Sequence, residues 1–144
     1  MATITIDVSN CPCCAGSSSN FCPIDPDSVV PDVLSNAVSY FHGGADIPAG
    51  TYKVTYIAGA FNKGAGNWVG HAFPGSLIHY SDGTTAAPGL TTSFGSFAAA
   101  EAANVGLFAV FVHNGGPIGV STEDTDYTDN SGGTPSPTYE LDCA

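Results

Sequence analysis

The chain has 144 residues and 43% hydrophobic residues, enough for one well-packed domain with a real core. Its formal net charge is −11, and Lys53 and Lys63 are its only Lys or Arg residues. This charge excludes nucleic acid and anionic membrane surfaces as partners, because no basic patch can neutralise their phosphates. Neutral ligands and cations remain compatible with it.

The N-terminal quarter divides into a predicted strand and an irregular segment. Residues 1–8 alternate apolar and polar side chains, which indicates a strand and not a secretory leader. Residues 9–36 are rich in Cys, Ser, Pro and Asp, so we predict an irregular loop held in place by cysteines. Within it, residues 29–34 are predicted to form a short helical turn. No stretch of the sequence reaches the length of a transmembrane helix, so we expect no membrane insertion.

Five cysteines suggest covalent cross-links: Cys11, Cys13, Cys14, Cys22 and Cys143. Their spacing lacks the paired Cys-x2-Cys knuckles of common zinc sites, so disulfides are predicted, with zinc and free buried thiols as alternatives. An odd count leaves one cysteine for an intermolecular bond or a free thiol. A bridge from the N-terminal cluster to Cys143 would close nearly the whole chain into one loop, the most stabilising arrangement in the chain-entropy model.

Three strands are predicted in the middle of the chain, at residues 37–41, 51–57 and 77–80. The second alternates cleanly, with Tyr52, Val54 and Tyr56 on one face, which is typical of a half-buried antiparallel strand. The third is closed by the turn signal Ser-Asp-Gly at 81–83.

The C-terminal half contains one candidate helix and three further predicted strands. Residues 94–104 are rich in Ala and form the only credible helix, although an irregular segment is the alternative because no apolar stripe is present. Residues 105–112 are a continuous apolar run, which predicts a central strand covered on both faces. Short strands are predicted at 118–120 and 138–141.

Short strands separated by turn signals indicate an all-β fold, an antiparallel β-sandwich. We predict a single domain over residues 1–144, in which residues 9–36 form the Cys-, Ser- and Pro-rich loop segment and residues 37–142 form the sandwich core. The sequence contains no internal repeat.

An acidic segment, residues 124–132, lies between the last two predicted strands. It carries three carboxylates and a carboxamide, on Asp124, Asp126, Asp129 and Asn130. Ca²⁺ takes six to eight oxygen ligands of these types, so we predict a calcium-binding loop, with a solvated acidic turn as the alternative. An EF-hand is excluded, because counting from Asp124 places Thr at position 5 and Pro at position 12.

The pattern Asp-x-x-Tyr-x-Asp-Asn-Ser-Gly before a final strand resembles the C-terminal segment of calcium-dependent galactose-binding bacterial lectins of the PA-IL type. Further resemblances run in the same order through Tyr-Ile-Ala-Gly-Ala-Phe at 56–61, the loop with Trp68, and Val-Gly-Leu-Phe at 105–108. Together they cover roughly residues 47–142 and leave the cysteine segment outside.

This resemblance implies a galactose-binding-like β-sandwich of the jelly-roll type whose Ca²⁺ ligates sugar hydroxyls directly. Asp124 would match the family's first Asp, and Asp129 with Asn130 its adjacent pair. A backbone oxygen around Asn62 and Lys63 would complete the site. His71 is a candidate counterpart of the sugar-contacting His, whereas the family's Gln has no match because the chain contains none.

Aromatic residues offer separate support for sugar binding. Trp68, Phe61 and Phe73 lie in or beside a Gly-rich stretch, where a ring can stack on a sugar face, and Trp68 as a loop anchor is the alternative. The predicted ligand-binding residues are therefore Asn62, Trp68 and His71. The four histidines show no metal-ligand spacing.

Catalysis is not expected. The chain lacks a Gly-x-Ser-x-Gly motif, a phosphate-binding loop and a His-Glu-x-x-His motif. Nothing in the sequence brings Asp82 or Glu101 to Asp124 as a glycosidase carboxylate pair.

Two functions remain. The first is a non-catalytic, calcium-binding module that binds carbohydrate on an extracellular or particle surface. The second is a structural subunit of a virion (capsid decoration or tail) or of an extracellular filament, in which calcium and disulfides only stabilise the fold. The expected partners are carbohydrate or copies of the chain itself as a homo-oligomer. The absence of a leader in the sequence favours release by lysis, as for virion proteins.

Overall fold

The structure is a computed structural model and describes residues 24–71, 77–81 and 83–144. The predicted first strand at 1–8 and the cysteines Cys11, Cys13, Cys14 and Cys22 lie outside the described residues. The described strands are β1 (Asp27–Val29), β2 (Ser39–Tyr40), β3 (Gly50–Ala58), β4 (Phe61–Asn62), β5 (Trp68–Val69), β6 (Leu77–Tyr80), β7 (Gly83–Ala86), β8 (Phe108–His113), β9 (Gly119–Ser121), β10 (Ser131–Gly132) and β11 (Thr138–Cys143). A 3-10 turn spans Phe41–Gly44 and the α-helix α1 spans Phe97–Asn104.

The described strands form three antiparallel sheets. Their orders are β1-β11-β3-β8, β2-β9-β6-β7 and β10-β4-β5. The main buried cluster draws Tyr52, Val54 and Leu141 from the first sheet and Ile78 and Val120 from the second. Because one core takes residues from both four-stranded sheets, the mostly-β architecture is compatible with the predicted β-sandwich.

Aromatic packing joins the two four-stranded sheets. Tyr80 at the end of β6 stacks on Phe111 of β8, with ring centroids 5.4 Å apart and planes 20° from parallel. The His113 ring meets Tyr80 edge-on at 5.8 Å. These contacts place large rings between β6 and β8, where side chains of both sheets interdigitate.

The half-buried strand predicted at residues 51–57 is confirmed as β3. Tyr52, Val54 and Tyr56 are completely buried, whereas the intervening side chains are partly exposed. The third predicted strand, at 77–80, coincides with β6. The candidate helix is present as α1, and Ser96 caps its N-terminus, because the Ser96 hydroxyl accepts a hydrogen bond from the Ala99 N–H at 3.2 Å.

Polar side chains of α1 bond within the helix and to segments outside it. The Asn104 side chain is buried, donating to the Ala100 carbonyl at 2.7 Å and accepting from the Leu90 N–H at 2.6 Å. The Glu101 carboxylate accepts from the Gly59 N–H just beyond β3 at 2.7 Å. None of the helices in the described ranges is long and apolar enough to cross a membrane.

Three sequence predictions are corrected. Residues 29–34 do not form a helical turn, because Val29 pairs with Tyr139 as the end of β1 and only a turn at 33–35 follows. The strand predicted at 37–41 is limited to Ser39–Tyr40, since Phe41 begins a 3-10 turn.

The third correction concerns the apolar run at 105–112. Among the described strands β8 lies at the edge of its sheet, and its side chains Phe108, Val110 and Val112 are 61%, 53% and 65% exposed. Only alternate residues such as Phe111 and His113 reach the core. The run is therefore covered on one face and not on both.

This correction predicts unequal effects for two valines on paired strands. Val54→Ala, at a fully buried position of β3, should lower the free energy of unfolding by about 2 kcal/mol through lost burial and an added cavity. Val110→Ala, on the exposed face of β8, should change it by less than about 0.5 kcal/mol. Urea denaturation measures both values. Equal costs for the two variants would contradict the exposure of β8.

Candidate functional site

The acidic loop is positioned by two strand pairings. Strand β9 ends at Ser121 and β10 begins at Ser131, so residues 122–130 form the connection. Ser131 pairs with Asn62 of β4, and Gly132 pairs with Phe61. The acidic loop therefore lies beside the tight turn at 62–67 that joins β4 to β5.

Tyr127 closes the loop on itself. Its hydroxyl donates to the Thr122 carbonyl at 2.8 Å and accepts from the Asp124 N–H at 3.0 Å. The Tyr127 carbonyl accepts from the Asn130 N–H at 3.2 Å. Burial, followed by the charges of nearby acidic residues, raises the pKa of Tyr127 against the opposing effect of the Asp124 hydrogen bond. The hydroxyl thus stays protonated and can serve as the donor.

Asn130 is the buried centre of this loop. Its side-chain amide donates to the Val33 carbonyl at 2.8 Å and to the Asp124 carboxylate (Oδ2) at 2.9 Å. Asn130 is only 7% exposed, yet its Oδ1 has no hydrogen-bond partner among the described residues. A buried carbonyl oxygen without a partner carries a desolvation cost of about 1–3 kcal/mol, so this atom is suited to a positively charged partner.

Asp124 orders the start of the loop. Its Oδ1 accepts from the Thr125 N–H at 2.7 Å and from the Asp126 N–H at 3.3 Å. Its Oδ2 is the atom bonded to Asn130. One carboxylate thus links the local turn to the buried amide, which fixes its orientation beside Asn130.

The Asp129 side chain lies close to Gly64 in the neighbouring turn. A Cβ built on Gly64 would lie 2.8 Å from Asp129 Oδ2, and Gly64 has a φ of +110° that disfavours other residues. The Gly64 N–H donates to the Asn62 side-chain oxygen at 2.8 Å. The absence of a side chain at Gly64 therefore permits the close approach of the Asp129 carboxylate to the 62–67 turn.

Asp126 has a local role. Its Oδ1 accepts from the Thr128 hydroxyl at 2.5 Å and from the Thr128 N–H at 3.0 Å, at a fully exposed position. These hydrogen bonds, the hydroxyl first, lower the pKa of Asp126 below its usual range. The Asp126 carboxylate caps a turn within the loop, and the structure does not bring it to Asn130.

The loop offers oxygen atoms of several types but few carboxylates. Within residues 24–71, 77–81 and 83–144, no three His, Cys, Asp or Glu side chains form a group that could hold a metal ion. The oxygen atoms available are instead two carboxylates, an amide oxygen and main-chain carbonyls. Calcium accepts all three types.

The predicted ligand residue Asn62 lies beside Trp68. The two residues pair directly across β4 and β5, and Ser131 pairs with Asn62 on the other side. Directly paired residues share one face of a sheet, so Ser131, Asn62 and Trp68 form a row on the small sheet. Phe61 and Val69, on the opposite face, are completely buried.

Trp68 is partly exposed and anchored at one edge. Its ring meets Phe97 of α1 edge-on, with centroids 5.6 Å apart, and its backbone bonds to Phe94 in both directions. Trp68 thus anchors the loop while part of the residue remains exposed.

His71 is placed differently from its predicted role. It is only 2% exposed, its Nε2 lies 2.6 Å from the Pro88 carbonyl, and its ring packs 6.2 Å from that of Tyr139. A side chain in this position has no surface to offer a sugar, so His71 is not retained in the candidate site. The predicted aromatic Phe61 is likewise buried, and Phe73 lies outside the described residues.

Cys143 ends β11, is buried, and is disulfide-bonded. Its predicted pairing with the N-terminal cluster stays a prediction, since those cysteines lie outside the described residues.

Sequence reasoning missed three contributors to the loop: the Tyr127 hydroxyl, the Val33 carbonyl and Gly64. The tyrosine lies within the resembling motif, and its spacing from Asp124 was the available signal. Val33 and Gly64 come from distant parts of the chain and gave no local signal.

Comparison with protein-family models, with curated proteins and with solved structures gives no match for this chain.

The burial of His71 predicts a pH dependence of stability. Burial lowers the pKa of His71, against hydrogen bonds to the backbone of Pro88 and Ala87 that favour the charged form. The unfolded chain therefore binds a proton near the usual pKa of about 6.5 that the folded protein does not bind. The free energy of unfolding should be highest above that pH and should fall as the pH is lowered through about 6.5. Urea denaturation of wild type and His71→Gln should show a flatter dependence for the variant, and equal slopes would contradict this assignment.

Proposed function

We propose that this protein is a non-catalytic, calcium-binding β-sandwich of the galactose-binding-like, jelly-roll type that binds carbohydrate. The observation that carries the proposal is the buried Oδ1 of Asn130, which has no partner among the described residues while Asp124 is bonded to the same amide group. A cation would satisfy this oxygen and offset the carboxylates of the loop.

The proposed ligands come from two neighbouring segments. Asp124, Asp129 and Asn130 supply side-chain oxygens, and the turn at Asn62 and Lys63 supplies main-chain oxygens. Support comes from the pairing of Ser131 with Asn62 and from the approach of Asp129 to Gly64, which bring the segments together. When bound, Ca²⁺ would supply positive charge and open coordination positions for sugar hydroxyls.

A sugar is the ligand class that best suits the surroundings. The net charge of −11 repels anionic ligands, whereas a neutral polyol meets no such barrier. The partly exposed Trp68 lies in the same row as Asn62 and Ser131, which brings an aromatic residue next to the loop. Aromatic rings present apolar area that can pack against the carbon face of a sugar ring.

A second candidate is the structural subunit of a virion or filament, in which calcium only stabilises the loop. The observation that favours it is the exposed apolar face of β8, because a continuous apolar patch marks an interaction surface.

Two glycines of the same turn test the metal site. Gly64 and Gly66 both have positive φ, so Ala at either position should cost about 1–2 kcal/mol of backbone strain. Only at Gly64 would the new methyl group displace the Asp129 carboxylate; the Cβ at Gly66 meets no described atom within 4 Å. We expect Ca²⁺ to raise the melting temperature of wild type and Gly66→Ala but not of Gly64→Ala. At a free concentration of about 100 times Kd, the stabilisation should be about 2.7 kcal/mol.

Thermal melting in Ca²⁺ and in chelator measures this difference. An unchanged melting temperature for the wild type would refute the metal site. An undiminished response in Gly64→Ala would remove Asp129 from the ligand set.

A glycan array tests the carbohydrate ligand. Wild type should bind glycans in Ca²⁺ and lose them in chelator, and Trp68→Ala should lose binding through the missing ring face. Tyr40→Ala removes an exposed aromatic from a different sheet and should retain binding. If no glycan binds in a chelator-sensitive manner while the melting temperature responds to Ca²⁺, the carbohydrate proposal is refuted and the structural candidate is favoured.

A further inference from the structure

Strand β8 combines an open sheet edge with an exposed apolar face. It is the last strand in the order β1-β11-β3-β8. Its side chains Phe108, Val110 and Val112 are all more than half exposed and, as alternate residues of one strand, share one face.

The backbone N–H and C=O groups of the same residues lie in the plane of the sheet and point away from β3. The Tyr56 N–H donates to the Leu107 carbonyl and the Gly106 N–H donates to the Tyr56 carbonyl, so the β3 residues of even number face β8. Alternation along β8 then directs the N–H and C=O groups of Phe108, Val110 and Val112 outward, away from β3. Within the described part of the chain, one strand thus offers both unpaired backbone groups and apolar side chains.

This edge lacks the features that prevent a sheet edge from pairing with another chain. Natural edge strands are shortened, carry charges or contain proline. At the opposite edge of the sheet, β1 has three residues and begins with Asp27. Strand β8 has six residues, Phe-Ala-Val-Phe-Val-His, with no proline, Asp, Glu, Lys or Arg. Edge strands of the other two sheets have at most four residues in the described part of the chain.

The charges around this edge favour a second copy of the chain over a basic partner. On β3, the side chains that share the exposed face with Phe108, Val110 and Val112 are those of Thr51, Lys53 and Thr55. The Lys53 Nζ lies 5.7 Å from the centre of the Phe108 ring. Carboxylates of the same face, on Glu140 and Asp142, lie on β11 beyond β3. A chain with a net charge of −11 can therefore approach a copy of itself here without opposing carboxylates. A basic partner would find no acidic side chain on the strand.

We propose that β8 is a dimerisation edge at which a second copy of this chain adds its own β8 in antiparallel orientation. A two-fold axis at Val110 places Val110 opposite the partner's Val110 and Phe108 opposite the partner's Val112. All of these residues have outward-facing backbone groups, so each pair exchanges both of its hydrogen bonds. The apolar side chains of both copies then form one continuous band on a joined sheet. This inference does not depend on the proposed calcium or carbohydrate site.

The test is a lysine at the two-fold axis. Sedimentation velocity from about 1 µM to about 1 mM should show a monomer–dimer equilibrium for wild type. Val110→Lys should weaken it at least about tenfold, because two ammonium groups would oppose each other across the axis. The matched control is Val30→Lys, at an exposed valine that follows β1 at the far edge of the sheet, and it should dimerise like wild type.

A cysteine gives a second, positive readout. Hydrogen-bonded antiparallel pairs have Cα atoms about 5.5 Å apart, which suits a disulfide. Val110→Cys should therefore form a covalent dimer on oxidation, with the 110–110 link identified by peptide mass spectrometry, whereas Val30→Cys should not form a 30–30 link. This variant keeps the test decisive if Val110→Lys fails to fold.

Three outcomes would overturn the proposal. A wild type that is monomeric throughout the concentration range refutes it. A dimer that survives Val110→Lys and gives no 110–110 link uses another surface. Slow amide hydrogen exchange at Phe108, Val110 and Val112 that does not depend on protein concentration would show that the chain itself covers the edge.

Discussion

The antiparallel alignment of residues 50–62 with residues 131–143 is the constraint on which the rest of the structure depends. Strand β11 pairs with β3 from Thr138 to Cys143, and the preceding β10 pairs with β4, which follows β3 directly. The two segments therefore run side by side through two sheets. This alignment buries Tyr56 against Tyr139, whose rings meet edge-on at 5.2 Å, and fixes both ends of the acidic loop. Residues 122–130 can lie beside the 62–67 turn only because this pairing holds.

Within that frame the acidic loop is ordered by its own polar groups. Asp124 and Asp126 each accept N–H bonds from residues that follow them, which is how Asx turns are formed. The Asn130 amide ties the loop to Val33, 97 residues away in sequence. Hydrogen bonds of this kind distribute the negative charge over backbone dipoles, but they leave the Asn130 oxygen without a described partner. The loop is thus pre-organised around one atom that its own groups do not satisfy.

Local pattern was sufficient for elements whose burial follows from their own alternation. Strand β3 shows this, because its period of two distinguishes a covered from an exposed face. The run at 105–112 could not be resolved in the same way. Consecutive apolar residues are equally compatible with a covered central strand and with an edge strand that has one open face. The tertiary structure distinguishes the two, because β8 has only β3 as a neighbour among the described strands. The burial of His71 could not be predicted for a similar reason, since it depends on Pro88 and Tyr139, which are distant in sequence.

The two surfaces singled out by the structure lie on different parts of the sheet system and share no residue. Strand β8 pairs with residues 50–55 of β3, whereas the acidic loop lies near β4, beyond the end of β3. Pairing of two copies through β8 would therefore leave both acidic loops uncovered by these contacts and present them on one dimer. Single sugar sites bind weakly, and two sites on one scaffold gain affinity from the high effective concentration of the second site. If both proposals hold, the open apolar edge of β8, a liability in a monomer, would make the proposed sugar site bivalent.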